Sequence, residues 1–122
     1  PHHPYSSKLT GMTPAELTRL YLEETGEDIT QPMGYKYASL ELAVTALMNA
    51  TNLEPENIRD GIKAIDVETI VGPIKYNDDH WGLTPVAGGQ WQRQADGSLK
   101  LFIINNSVNP EIPVTGEYKP LP

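Results

Sequence analysis

The sequence predicts a mixed α/β protein with its helices first and its strands last. Three observations carry that reading. Apolar residues recur at helical spacing in three stretches between residues 13 and 65, and β-branched residues crowd 68–76. An Asp96-Gly97 pair then separates two further strand-like segments. The resulting order, α-α-α-β-β-β, contains no internal repeat and no low-complexity segment.

Residues 1–12 read as a loop. The first helix, 13–25, is marked by Thr13 as N-cap, Pro14 at the first helical position and Glu16 three residues after the cap. Leu17, Leu20 and Tyr21 form its buried stripe, and Gly26 stops it. Pro32 and Gly34 place 27–34 in a connection. The second helix covers 35–50, opening at Tyr35 or Tyr37. Leu40, Val44, Leu47 and Met48 repeat at three and four residues, and Ala38, Ala43, Ala46 and Ala50 widen the face enough to cover two sides. Its one acid is Glu41. The third helix, 55–65, has Pro55 in its first turn, Glu54 and Glu56 at the positive end of the dipole, and Ile58, Ile62 and Ile65 as its stripe. Gly61 within it costs about 1 kcal/mol relative to Ala, which points to close packing or a frayed end.

From Glu68 the texture changes. Residues 68–76 read as one strand, which Pro73 confines to a sheet edge or a bulge. Asn77-Asp78-Asp79-His80 is a turn. Residues 84–93 and 98–105 form a hairpin around Ala95-Asp96-Gly97. Pro110, Pro113, Pro120 and Pro122 exclude the tail from a helix or central strand, so it runs extended over a surface. Three helices with apolar faces need a sheet to bury against, and an edge strand plus a hairpin is a thin supply. The expectation is a piece of a larger protein whose further strands cover those faces.

Composition narrows the classes. A chain of 122 residues with 39% apolar content supports one modest core. Its longest apolar runs, such as Leu101-Phe102-Ile103-Ile104, are far too short to span a membrane. A net charge of −7 lacks the basic face that phosphate backbones require, which argues against nucleic acid. The absence of Cys removes disulfides, thiolate metal sites and Cys nucleophiles together.

Candidate chemistry is sparse. Tyr35 and Tyr37, at the start of the second helix, could offer an aromatic wall and a phenol hydroxyl to a small ligand, or pack on neighbouring helices. The amides at that helix start could receive a carboxylate. His2, His3 and Tyr5 precede the first helix; a cleft-edge role for His3 stands beside a solvent-exposed loop, and no third metal ligand is evident. Asp78, Asp79 and His80, followed by Trp81, form the most enzyme-like cluster, able to act as general base or divalent-metal site, against a polar turn between strands. Ser6 and Ser7 lack a nucleophile elbow, and Gly88-Gly89 is followed by no Lys-Ser or Lys-Thr. Trp91 and Phe102 read as cross-strand or core residues. No cofactor and no metal are expected.

Four segments acquire meaning together. They are His3-Pro4-Tyr5-Ser6-Ser7-Lys8-Leu9-Thr10-Gly11, Gln31-Pro32-Met33-Gly34-Tyr35-Lys36-Tyr37-Ala38, and Glu68-Thr69-Ile70-Val71-Gly72-Pro73-Ile74-Lys75-Tyr76. The fourth is Val86-Ala87-Gly88-Gly89-Gln90-Trp91 with Asn106, Pro110, Glu111, Ile112 and Pro113. In this order and spacing they resemble the C-terminal third of type I periplasmic solute-binding proteins of the branched-chain amino acid transporter class.

The resemblance implies an α/β, two-lobed periplasmic-binding-protein fold that closes over a small molecule, of which this chain is the C-terminal part. Residues 1–76 would end the first lobe, and 77–122 would supply a crossover, a hairpin of the second lobe and the Pro-rich tail. It implies a non-catalytic receptor for a small organic solute such as an amino acid, an amide or an aromatic acid, handed to an ABC permease in the membrane. The location would be periplasmic or lipid-anchored outside the cytoplasm, with the signal peptide outside this chain. It favours Tyr37 over Tyr35 as a cleft residue. A fragment of this kind is expected to self-associate through uncovered faces. The alternatives are a sensor domain of the same fold and a small hydrolase using Asp78, Asp79 and His80.

Overall fold

The computed structural model describes residues 4–120, which divide into two compact units, 4–84 and 85–120. The first holds helices α1 (Pro14–Thr25), α2 (Pro32–Asn49) and α3 (Pro55–Lys63) with strands β1 (Asp66–Thr69) and β2 (Gly72–Lys75). The second holds strands β3 (Gly88–Arg93) and β4 (Leu99–Asn105). The described residues are therefore mixed α/β, with three helices and two small antiparallel sheets.

α1 begins where local chemistry dictates. The Glu16 N–H donates to the Thr13 hydroxyl at 3.2 Å, and the Thr13 N–H donates to Glu16 Oε2 at 2.9 Å. The Thr13 backbone amide, then its hydroxyl, hold the Glu16 carboxyl below its ordinary range. A depressed carboxyl contributes stability above its unfolded pKa and loses it as pH falls through the folded value. Acidification from neutrality to about pH 2 is thus expected to fray the first turn of α1 early, read from the Thr13 and Glu16 amide resonances. A first turn that stays intact to that pH would contradict the capping account. The stripe along this helix is only half covered: Leu17 reaches the core, while no residue of α1 is fully buried.

α2 opens at Pro32, earlier than the expected 35, because the fixed φ of proline suits the first helical turn. Its orientation differs from expectation. Ala38, Glu41 and Ala46 face inward, whereas Leu40 and Met48 are 69% and 71% exposed and Val44 and Leu47 also lie open. A helix that is apolar all round gives its period no single inward face, so its neighbours choose one. They choose the small residues. Gly61 of α3 lies against the Ala46 carbonyl, where a Cβ would overlap that oxygen and reach 3.1 Å from the Ala50 nitrogen. Asn49 Nδ2 donates to the Gly61 carbonyl at 3.3 Å across the same seam. Of the two explanations for Gly61, close packing is the one realised. α3 ends at Lys63 rather than 65, and Ile65, beyond the helix, is 2% exposed.

The single strand expected over 68–76 is instead a hairpin. β1 and β2 pair antiparallel, with Asp66 opposite Lys75 and Thr69 opposite Gly72. The Thr69 hydroxyl donates to the Gly72 carbonyl at 2.9 Å and accepts from the Val71 N–H at 3.3 Å, closing a turn at Ile70-Val71. Gly72 adopts φ 113°, outside the range of an ordinary L residue. This turn is the centre of the core: Ile70, Val71, Ile74 and Ala38 pack together, joined by Met12, Leu17, Tyr37 and Leu42. The Ile70 N–H donates to Glu41 Oε2 at 3.1 Å. Ahead of α1, the Lys8 N–H donates to the Glu68 carbonyl at 3.0 Å, tying the leading segment to β1.

In the second unit, β3 begins at Gly88 rather than 84, with a register shift between Gly88 and Gly89. Gln90 lies opposite Phe102 and Trp91 opposite Leu101, so Trp91 and Phe102 belong to opposite faces and are not a facing pair. The Asp96 carboxyl accepts from the Ser98 hydroxyl at 2.7 Å and the Ser98 N–H at 3.0 Å, which holds it below its ordinary range.

The tail makes turns over 107–112, Pro110 included, and runs extended along the hairpin only beyond them. Two glutamines hold it. Gln90 Nε2 donates to the Lys119 carbonyl at 2.6 Å and its Oε1 accepts from the Lys119 N–H at 2.9 Å. Gln92, 7% exposed, donates to the Glu117 carbonyl at 2.7 Å. These side chains mimic a strand partner for a segment whose prolines lack N–H groups. Gln92→Ala is expected to cost about 1–2 kcal/mol. Faster hydrogen exchange at Thr115 and Lys119 would follow, and unchanged protection would contradict the clamp.

Candidate functional site

Concavities in the first unit gather around α3. A basin of about 390 Å³ is lined by Arg59, Asp60, Ile62 and Lys63 of α3 and by Tyr76, Asn77 and His80 from the segment after β2. An apolar groove of about 430 Å³ runs between α2 and α3, where Leu42, Ala46, Leu47, Ile58 and Ile65 are the main lining. Ile62 and Tyr76 line both.

The segment 77–81 is a closed loop built by Asn77. Its Oδ1 accepts from the Asp79 N–H at 3.1 Å and the Trp81 N–H at 2.9 Å, while its own N–H donates to the Trp81 carbonyl at 3.0 Å. The His80 N–H donates to the Asn77 carbonyl at 3.0 Å, with His80 at φ 68°. Tyr76 bridges to Gly82, and a Cβ there would lie 3.3 Å from the Tyr76 ring, so the phenol stands over a residue without a side chain. On the α3 side, Arg59 donates to Asp60 Oδ1 from Nε at 3.1 Å and from Nη2 at 2.9 Å. Both side chains are well exposed, so this pair contributes little to stability. What the basin offers is a set of donors over an apolar floor.

The residues singled out in the sequence scatter. His3 lies outside the described residues. Tyr37 is half-buried against the core, and its hydroxyl is 2.9 Å from Thr10 Oγ1. Tyr35 is 47% exposed, and neither tyrosine lines the basin or the groove. Of the Asp78-Asp79-His80 cluster, His80 alone enters the basin; the two acids are exposed and do not line it. Among the described residues no group of three His, Cys, Asp or Glu could hold a metal ion. Arg59, Lys63 and Asn77 were not legible as site residues. The one signal in that direction was the polar run 77–80, read as a turn.

One further polar group is buried away from these concavities. Glu41, 4% exposed, uses Oε2 for the Ile70 N–H, and its Oε1 has no hydrogen-bond partner among the described residues. Such a carboxyl is unusual in an interior, where acids are almost always paired. No described helix is long and apolar enough to cross a membrane. No family model matches the chain, and no curated protein matches it significantly.

Proposed function

We propose that this chain is the C-terminal part of an extracytoplasmic solute receptor of the type I periplasmic-binding class, serving an ABC importer. The observation that carries the reading is that each unit leaves large apolar side chains exposed, a stripe of α2 and one side of the β3–β4 hairpin among them. On α2 the open face is Leu40, Val44, Leu47 and Met48. On the hairpin it includes Trp91, 59% exposed, beside Leu101 and with Leu99 on the same side. Contiguous apolar surface of this kind marks a site of burial against other chain or another molecule. In the two-lobed fold, strands of the lobes would supply that cover, and hinge closure over a small organic solute would supply the function.

Tyr35, exposed at the start of α2, and Tyr37, held by Thr10, would face the cleft in that arrangement. The test is solute screening by thermal shift on the longer gene product that contains this segment. A solute of the amino acid, amide or aromatic acid class should raise its melting temperature. Tyr35→Ala or Tyr37→Ala should weaken its binding about tenfold or more. Failure of every such solute to bind, or unchanged affinity in both variants, would overturn the reading.

A further inference from the structure

We infer that the basin between α3 and the 77–81 loop binds a small organic carboxylate carrying a flat apolar body. This site is separate from the cleft proposed above: it uses residues 59–80, and neither Tyr35 nor Tyr37 takes part.

The chain as a whole carries −7, yet the basin sets Arg59 and Lys63 against a single acid, Asp60. Asp60 is already engaged by Arg59 through Nε and Nη2, which leaves Nη1 of the guanidinium as a donor. Lys63 takes part in no ion pair among the described residues. The second element is Asn77. Its Oδ1 accepts two backbone N–H groups, so its oxygen and nitrogen cannot exchange places without losing both bonds. The Nδ2 group, which makes no hydrogen bond among the described residues, is thereby the free end of a fixed amide. An ammonium, a guanidinium N–H and a fixed amide N–H₂ are the donors a carboxylate uses.

The number of charges selects the ligand class. Arg59 and Asp60 cancel in net charge, which leaves the Lys63 ammonium, in the last turn of α3, as the uncompensated cation of the lining. One full negative charge is matched by this set; a phosphate dianion is not. Ile62 and the Tyr76 ring form the apolar part of the wall, and they continue into the α2–α3 groove. A flat apolar body can therefore lie on Tyr76 while its carboxylate meets Lys63 and Asn77.

The test uses the isotope-labelled 122-residue chain at low salt, titrated with benzoate, with benzamide and with inorganic phosphate. Benzoate is expected to shift the amides of residues 59–63 and 76–81 and to saturate at roughly millimolar concentration. Benzamide, the neutral isostere, and phosphate should each bind about tenfold more weakly or worse. Lys63→Gln changes an exposed side chain and should weaken benzoate about tenfold, while Lys63→Arg should restore most of the affinity. The proposal is overturned by benzamide or phosphate binding as well as benzoate, by unchanged affinity in Lys63→Gln, or by no shifts up to about 20 mM. The outcome is independent of solute binding by the longer product, so the two readings fail separately.

Discussion

Gly61→Ala is expected to destabilise the first unit by about 3 kcal/mol, although Ala is the better helix former by about 1 kcal/mol. The new Cβ would overlap the Ala46 carbonyl and press on the Ala50 nitrogen, and backbone cannot rotate aside as a side chain can. α3 must lift from α2, opening the seam that Asn49 spans. For a domain of this size the shift in melting temperature is on the order of 15 °C, readable by circular dichroism. Gly34→Ala is the matched control in another helix. Its Cβ would meet only Val71 Cγ1, at 3.2 Å, and the loss should stay under about 1 kcal/mol. Equal effects from the two substitutions would show that helix propensity, not the close approach, governs these positions.

Glu41→Ala should cost about 2 kcal/mol or more, because it strips the Ile70 N–H of its acceptor at the most buried turn of the fold. Glu41→Gln keeps an oxygen for that N–H and removes the titratable group, so its stability should stay within about 1 kcal/mol of the parent. Denaturant unfolding of the three proteins decides the matter. If Ala were tolerated as well as Gln, the bond to Ile70 would have no energetic weight. The interior would then be held by the packing of Ile70, Val71 and Ile74 alone.

The parts of this fold that the sequence revealed are those written in neighbouring residues. Thr13 with Glu16, Pro14 and Pro55 mark helix starts through bonds and torsions within one turn, and Asp96-Gly97 marks a hairpin for the same reason. What escaped was decided by distant chain. The turn at Ile70-Val71 carries apolar side chains because it plugs the core, so it shows none of the polar punctuation by which turns are recognised. The pattern of α2 offers two coverable sides, one of large residues and one of alanines; Gly61 and Glu41 place Ala38 and Ala46 inside and leave Leu40, Val44, Leu47 and Met48 open. The basin escaped for a similar reason. Arg59 and Lys63 are unremarkable charges on a short helix until the loop closed by Asn77 brings His80 to the same hollow. Of the Asp78-Asp79-His80 run, an enzyme-like cluster or a polar turn by sequence, His80 lines the basin and the two acids do not.

If the chain is part of a larger receptor, the outer stripe of α2 and the Trp91 side of the hairpin are surfaces that other chain covers. Sedimentation velocity on the 122-residue chain, beside a Leu40→Lys/Met48→Lys double variant, tests it most directly. Both positions are about 70% exposed, so the variant should unfold at nearly the same denaturant concentration as the parent. The parent should sediment as concentration-dependent oligomers, and the variant should shift markedly toward monomer. A parent that remains a single monomeric species at about 100 µM, indistinguishable from the double lysine variant, would contradict the account.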